Sequence, residues 1–129
     1  MRRPPGVRFD TGGCGKGLAA DLAAGRLEGY ETYSVDAGGD LRIGGATSAA
    51  RIVDVEHPLQ TESAASFRLI DGAIATSGLA TRLWRCGDGF AHHLLDPSTG
   101  EPAWTGVIQA TALGPTALVA ETLAKQALL

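Results

Sequence analysis

Lysine is almost missing from this chain. Lys16 and Lys125 are the only two among 129 residues, and Lys+Arg total 11 against 14 Asp+Glu, for a net charge of −3. No basic run interleaves with aromatics, which speaks against a nucleic-acid surface. Cysteine is as scarce. Cys14 and Cys86 lie far apart and form no CxxC, so the pattern is neither a disulfide framework nor a zinc site, and a reducing compartment is the simpler reading. No apolar run approaches the roughly 20 residues of a bilayer span. Arg2-Arg3 leads into Pro4-Pro5-Gly6 rather than into an apolar stretch, unlike a secretion signal. A cytoplasmic location without membrane contact is therefore expected. Aromatics reach only 5%.

Glycine, by contrast, is plentiful at 18 residues, and hydrophobic residues make up 44% against 19% charged. This is the composition of one globular domain with many tight turns. Residues 1–8 read as a poorly ordered, Pro-rich lead-in and residues 9–129 as a single domain. Leu18, Leu22, Ala23 and Leu27 at helical spacing predict a helix over 18–27, ended by Gly29, with Asp21 and Arg26 on its polar side. Strands are expected at 33–36, 41–43, 51–55, 67–70, 73–76, 90–95 and 106–113. A last helix is expected from an N-cap at Thr116 to Leu129. The fold class is α/β (α+β): a mostly antiparallel sheet flanked by two helices.

Five segments carry groups suited to chemistry. Asp10-Thr11-Gly12-Gly13-Cys14-Gly15-Lys16-Gly17 runs straight into a helix, so glycine N–H groups, a helix N-terminus and one lysine can form an anion cradle. It departs from a Walker loop, having Asp10 where that motif has its first glycine and Gly17 where it has Ser or Thr. Ala37-Gly38-Gly39-Asp40 is by itself a hairpin turn. Ala75-Thr76-Ser77-Gly78 is by itself a strand end. His93-Leu94-Leu95-Asp96-Pro97-Ser98-Thr99-Gly100 places an imidazole before a rigid turn. His93 suits a general base, while Asp96 suits the turn as well as the chemistry. Alternation sends His92 to the opposite side from His93. Glu121 and Lys125, at i,i+4, read as an ordinary surface pair worth roughly 0.2–0.5 kcal/mol.

In this order and spacing the segments resemble the ApbE-type flavin transferases (FAD:protein FMN transferases). That family's Asp-x-Gly-Gly-x-x-Lys-Gly matches Asp10 to Gly17, and its Gly-Gly-Asp matches Gly38 to Asp40. Its Thr-Ser-Gly matches Thr76 to Gly78, and its His-x-x-Asp-Pro-x-Thr-Gly matches His93 to Gly100. The resemblance implies an enzyme that splits FAD, passes FMN to a Thr or Ser hydroxyl of a target flavoprotein, and releases AMP with the help of Mg²⁺. His93 and Asp96 would then be catalytic. Gly13, Lys16, Gly17, Gly39, Asp40, Thr76, Ser77, Gly78 and Thr99 would contact FAD. Gly15, through its carbonyl, and Glu121 would hold the metal.

Two departures from the family stand out. The family has an Asp and a Thr one turn apart on the late helix, where this chain has Glu121 and Lys125. An ammonium cannot ligate, so Mg²⁺ binding is expected to be weakened or lost, with Lys125 partly replacing the metal's charge. The family also has a large N-terminal portion, and strands after the last helix, that this sequence does not contain. A core truncated at both ends is expected to rely on the missing portion or on a second copy, and to leave Leu128 and Leu129 exposed. The same site would also serve an FAD pyrophosphatase, with water as acceptor, or a flavin binder without turnover.

Overall fold

Alanine and glycine at the helix–sheet contact let backbones approach closely, and that closeness decides the architecture. The computed structural model describes residues 4–6 and 10–129, so most of the expected lead-in lies outside it. In chain order the elements are α1 (Gly15–Ala24), β1 (Tyr33–Asp36), β2 (Asp40–Gly44), β3 (Arg51–Glu56), β4 (Ser63–Leu69), β5 (Gly72–Gly78), β6 (Leu83–Cys86), β7 (Gly89–His92), β8 (Gln109–Gly114) and α2 (Ala117–Gln126). Strands β1-β2-β5-β8 form a four-stranded antiparallel sheet. The hairpins β3–β4 and β6–β7 are separate. This is the antiparallel α+β architecture expected. Among the described residues no helix is long and apolar enough to cross a membrane.

Both helices lie on one face of the sheet. Ala73 and Ala75 of β5 meet Ala20 of α1 and Ala117 and Ala120 of α2 in a fully enclosed cluster, with Val35 and Ala37 at its margin. The pleat sends Ile74 and Thr76 to the other face. The helices cross at Gly17, where an added Cβ would lie 2.5 Å from the carbonyl oxygen of Ala117 and 2.8 Å from the Cα of Leu118. Asp21, placed by its spacing on the polar side of α1, instead reaches α2. Its carboxylate accepts from the N–H groups of Ala117 at 2.8 Å and Leu118 at 2.9 Å. Thr116 caps the same end, accepting from Val119 at 3.2 Å. The α2 N-terminus is thus closed by its own cap and by the other helix.

Several boundaries differ from expectation. Helix α1 begins at Gly15 and ends at Ala24 with Gly25 at its cap, well before Gly29. The expected strand at 90–95 is one arm of a hairpin closed by Gly87-Asp88, with Gly87 at φ +60°. Its partner β6 is exposed along its whole length, so it shows no buried alternation. Strand β4 starts at Ser63, earlier than Phe67, by pairing with Glu56 and Val55 of β3; its first residues are small and exposed and so show no alternation. The largest correction concerns the C-terminus. Helix α2 stops at Gln126, Leu128 N–H bonds the Lys125 carbonyl at 3.0 Å, and Leu128 buries itself against Leu79 and Leu94. Only Leu129 of that pair is exposed.

Gly17→Ala tests the helix crossing. Alanine in an open helix position gains about 1 kcal/mol over glycine. Here its methyl meets backbone atoms that cannot step aside, so a net loss of about 1–3 kcal/mol is expected from chemical denaturation. Gly29→Ala, whose Cβ would meet nothing within 4 Å, is the control and should stay within about 0.5 kcal/mol of wild type.

Candidate functional site

The first-loop lysine and the Gly-Gly-Asp turn meet in space. Lys16, in the first turn of α1, donates from Nζ to the Gly38 carbonyl at 3.1 Å and lies 3.0 Å from Asp40 Oδ2. Ala37-Gly38-Gly39-Asp40 is indeed the β1–β2 hairpin turn, with Gly38 at φ +69° and Gly39 at φ +91°, a left-handed pair that glycine tolerates. Gly39 N–H is held by Asp36 Oδ1 at 2.8 Å. Asp40 is wholly buried at the start of β2, and its Oδ1 has no partner. Burial raises the Asp40 carboxyl above its ordinary pKa, while the hydrogen bond and charge of Lys16 pull it back.

Glu121 overturns the surface-pair reading of α2. It is 0% exposed. Its Oε2 accepts the Gly17 N–H at 2.7 Å, and its Oε1 takes the Lys125 ammonium at 2.6 Å. The Lys125 side chain is itself only 14% exposed. Glu121 and Lys125 both act electrostatically on Asp40, so two carboxylates and two ammoniums share one neighbourhood. Both Glu121 oxygens are engaged, and with the Lys125 ammonium on Oε1 a divalent ion there would meet a positive charge at close range. Among the described residues no three His, Cys, Asp or Glu side chains converge as a metal group. The residues in this arrangement do not fit a divalent ion.

On the sheet face away from the helices lies a cleft of about 460 Å³. Leu41, Ile74, Thr76 and Gly78 line its sheet side, Val53 to Glu56 of β3 line it opposite, and Gly38-Gly39 close one end. Gln109 Nε2 ties β8 to the β3 hairpin through the Glu56 carbonyl at 2.8 Å. Thr76 shares a hydrogen bond with Thr111 at 2.9 Å. Ser77, the neighbouring hydroxyl of the same segment, points to the helix side by the pleat and does not line this cleft. Asp36, Asp54 and Glu56 add carboxylates to this lining, so the cleft is mixed; Gly38-Gly39 borders it, and Gly38 is bonded to Lys16 of the charged cluster.

His93 follows β7 directly and is exposed, whereas His92 is buried with its ring edge-on to Trp104, centroids 4.5 Å apart. Desolvation, then the charge of Arg82, lowers the His93 pKa below its ordinary value, and Lys125 adds a smaller push in the same direction. The Asp96-Pro97-Ser98-Thr99-Gly100 turn is internally bonded. Asp96 Oδ1 accepts from Ser98 N–H at 2.8 Å and from Ser98 Oγ at 2.6 Å, which lowers the Asp96 pKa. The Asp96 carbonyl takes the Gly100 N–H at 2.7 Å, and Thr99 Oγ1 takes the Glu101 N–H at 3.2 Å. Asp96 and Thr99 thus spend these bonds inside the turn, and among the described residues neither bonds His93. At the first loop, Gly13 is exposed, and Gly15 opens α1 with its N–H on the Thr11 carbonyl at 2.6 Å.

Three contributors carry little signal in the sequence. Asp21 looked like a solvated helix residue, but it fixes α2 and with it Glu121. The β3 stretch Arg51–Glu56 was legible as a strand, though not as a wall of the cleft. Gln109 carried no signal beyond its place near a strand start.

Lys16→Met tests the charged cluster. Asp40 is left buried without its counter-charge, so its carboxyl moves further up. A carboxyl raised in the folded state stabilises the fold below its unfolded pKa, near 3.8, and loses that contribution as pH rises through the folded value. The deficit of the variant in urea midpoints should therefore be small in acid and grow toward neutral pH. At neutral pH it should reach on the order of 2 kcal/mol, less than for a fully buried pair because Lys16 is 44% exposed.

Comparison with known proteins gives this geometry a setting. The chain is 31% identical over 123 residues to the FAD:protein FMN transferase of Salmonella typhimurium, covering 91% of this chain and 35% of that protein. It superposes on the ApbE protein of Thermotoga maritima with a TM-score of 0.81 and 35% identity, covering 94% of this chain and 40% of that one. Against the flavin transferase ApbE of Vibrio cholerae the TM-score is 0.68 at 28% identity, with the same coverages of 94% and 40%. The chain thus spans well under half the length of the relatives it matches. The model of the ApbE family matches residues 1–129 from end to end, and the chain belongs to that family.

Proposed function

We propose that this chain is the catalytic-core portion of an FAD:protein FMN transferase, acting together with the further portion that its longer relatives possess. One observation carries the reading. A cleft of about 460 Å³ with an apolar floor meets, at the Gly38-Gly39 turn, a lysine at a helix N-terminus. A flavin nucleotide has the same division, a flat apolar ring joined to a pyrophosphate. The cleft volume lies within the ordinary range for small-molecule sites. The names of the relatives, all FAD:protein FMN transferases or ApbE flavin transferases, support the same substrate.

In this reading the ring lies against Leu41, Ile74 and Thr76, and the pyrophosphate lies toward Lys16 and the first turn of α1. The acceptor Thr or Ser oxygen of a target flavoprotein attacks the phosphorus of the FMN half. The bond from that phosphorus to the bridging oxygen breaks, and AMP leaves. The hydroxyl proton passes to His93, whose lowered pKa keeps it in the free-base form at neutral pH. The Lys16 ammonium offsets charge on the phosphates. A divalent ion would add Lewis-acid charge on the pyrophosphate. Glu121, however, is already bonded to Gly17 and Lys125 and does not offer itself to such an ion. Asp96 and Thr99 hold the turn after His93, a positioning role consistent with their bonds.

The test is AMP release, followed by chromatography, from the chain incubated with FAD and an acceptor flavoprotein, with and without Mg²⁺. His93→Ala should lower the rate by about 10²–10⁴-fold. The acid limb of the wild-type rate should fall below pH 6.5, because His93 must lose its proton to act and its pKa is lowered. An unchanged rate in His93→Ala would remove the base assignment. AMP without a labelled acceptor would turn the reading to a pyrophosphatase, and FAD binding without AMP to a flavin binder.

A further inference from the structure

The fold buries two carboxylates completely, and it places the chain's only two lysines on them. Lys16 meets Asp40 and Lys125 meets Glu121, so the four formal charges cancel. The Lys125 ammonium touches Glu121 at 2.6 Å and is near enough to Asp40 to affect its acidity. Asp40 Oδ1, fully buried, is left without any partner. A divalent ion brought into this cluster would face two ammoniums and only one unengaged carboxylate oxygen. Repulsion and the lack of ligands both oppose it.

We infer that the Lys125 ammonium is a tethered cation seated where a divalent ion would otherwise bind between Glu121 and Asp40. The chain as it stands holds no divalent ion at this cluster, and it acquires a site when the ammonium is replaced by a hydroxyl. Without Lys125 the cluster carries a net charge of −1. Glu121 Oε1 and Asp40 Oδ1 are then both free, and a threonine at 125 adds a third oxygen. Oxygen ligands with excess negative charge suit Mg²⁺ and Mn²⁺. This inference rests on the charge geometry of the four side chains and not on the proposed reaction.

Mn²⁺ electron paramagnetic resonance is the measurement, with Mg²⁺ as competitor and neither FAD nor an acceptor present. Wild type should leave the free-ion signal as in buffer. Lys125→Thr should deplete it, with affinity about 10-fold or more above wild type. Lys125→Arg, which keeps the charge, should behave as wild type. Adding Glu121→Gln to Lys125→Thr should abolish the gain and so assign it to this cluster. If Lys125→Thr unfolds because Glu121 is left buried and unpaired, Mn²⁺ should restore its circular dichroism spectrum. Equal binding by wild type and Lys125→Thr, binding by neither, a gain that survives Glu121→Gln, or an unfolded variant that Mn²⁺ does not rescue would each overturn the inference. None of these outcomes depends on the FAD reaction.

Discussion

Everything in the site hangs on the crossing of the two helices at Gly17. The absence of a side chain there lets α1 touch the first turn of α2, with no room for a methyl between Gly17 and Ala117. At that separation the Gly17 N–H, one of the donors a helix start leaves without an internal partner, reaches Glu121 across 104 positions of sequence. One turn further along α1, Asp21 binds the opening N–H groups of α2. Each helix thus satisfies the other's start, and each carries a charged side chain of the cluster, Lys16 or Glu121, from the region so fixed. The alanine cluster beneath transmits this placement to β2 and β5, where Asp40 and Thr76 sit.

The site therefore has two sides. One is the charged cluster of Lys16, Asp40, Glu121 and Lys125, on the helix face of the sheet. The other is the cleft, whose far wall is the two-stranded β3–β4 sheet, tied to β8 by the Gln109 side chain. Charge discrimination needs fixed geometry, because Coulomb energy changes steeply with distance at low dielectric.

How much of this could be read from residues alone varied with the distance over which each signal acts. Local signals sufficed for Thr116 as a cap, for the Gly-Gly turn, and for most strands of the central sheet, where alternation or turn chemistry is strong. They failed where a residue acts across the fold. Asp21 and Glu121 stand on helices with the spacing of solvated residues, and only the tertiary contact shows one as a cap for another helix and the other as fully buried. Leu128 misled for a related reason: a hydrophobic terminus suggests an absent neighbour, but the neighbours, Leu79 and Leu94, are far back in the same chain. The motifs name candidate residues in linear order, yet the pleat divides Thr76 from Ser77, and the turn absorbs Asp96 and Thr99, in ways that a linear pattern does not encode.

The scarcity of lysine has a consequence for the chemistry of the surface. Nine of the 11 basic residues are arginine, so outside the charged cluster no side chain offers a primary amine. Guanidinium groups stay protonated and resist the acyl and aldehyde reagents that attack amines. Lys16, 44% exposed, is the more open of the two side-chain amines, and Lys125, at 14%, the more sheltered. An electrophile selective for amines finds no decoy among the side chains of this protein: every lysine it modifies lies in the charged cluster, so the extent of side-chain labelling reads the exposure of Lys16 and Lys125 and of nothing else.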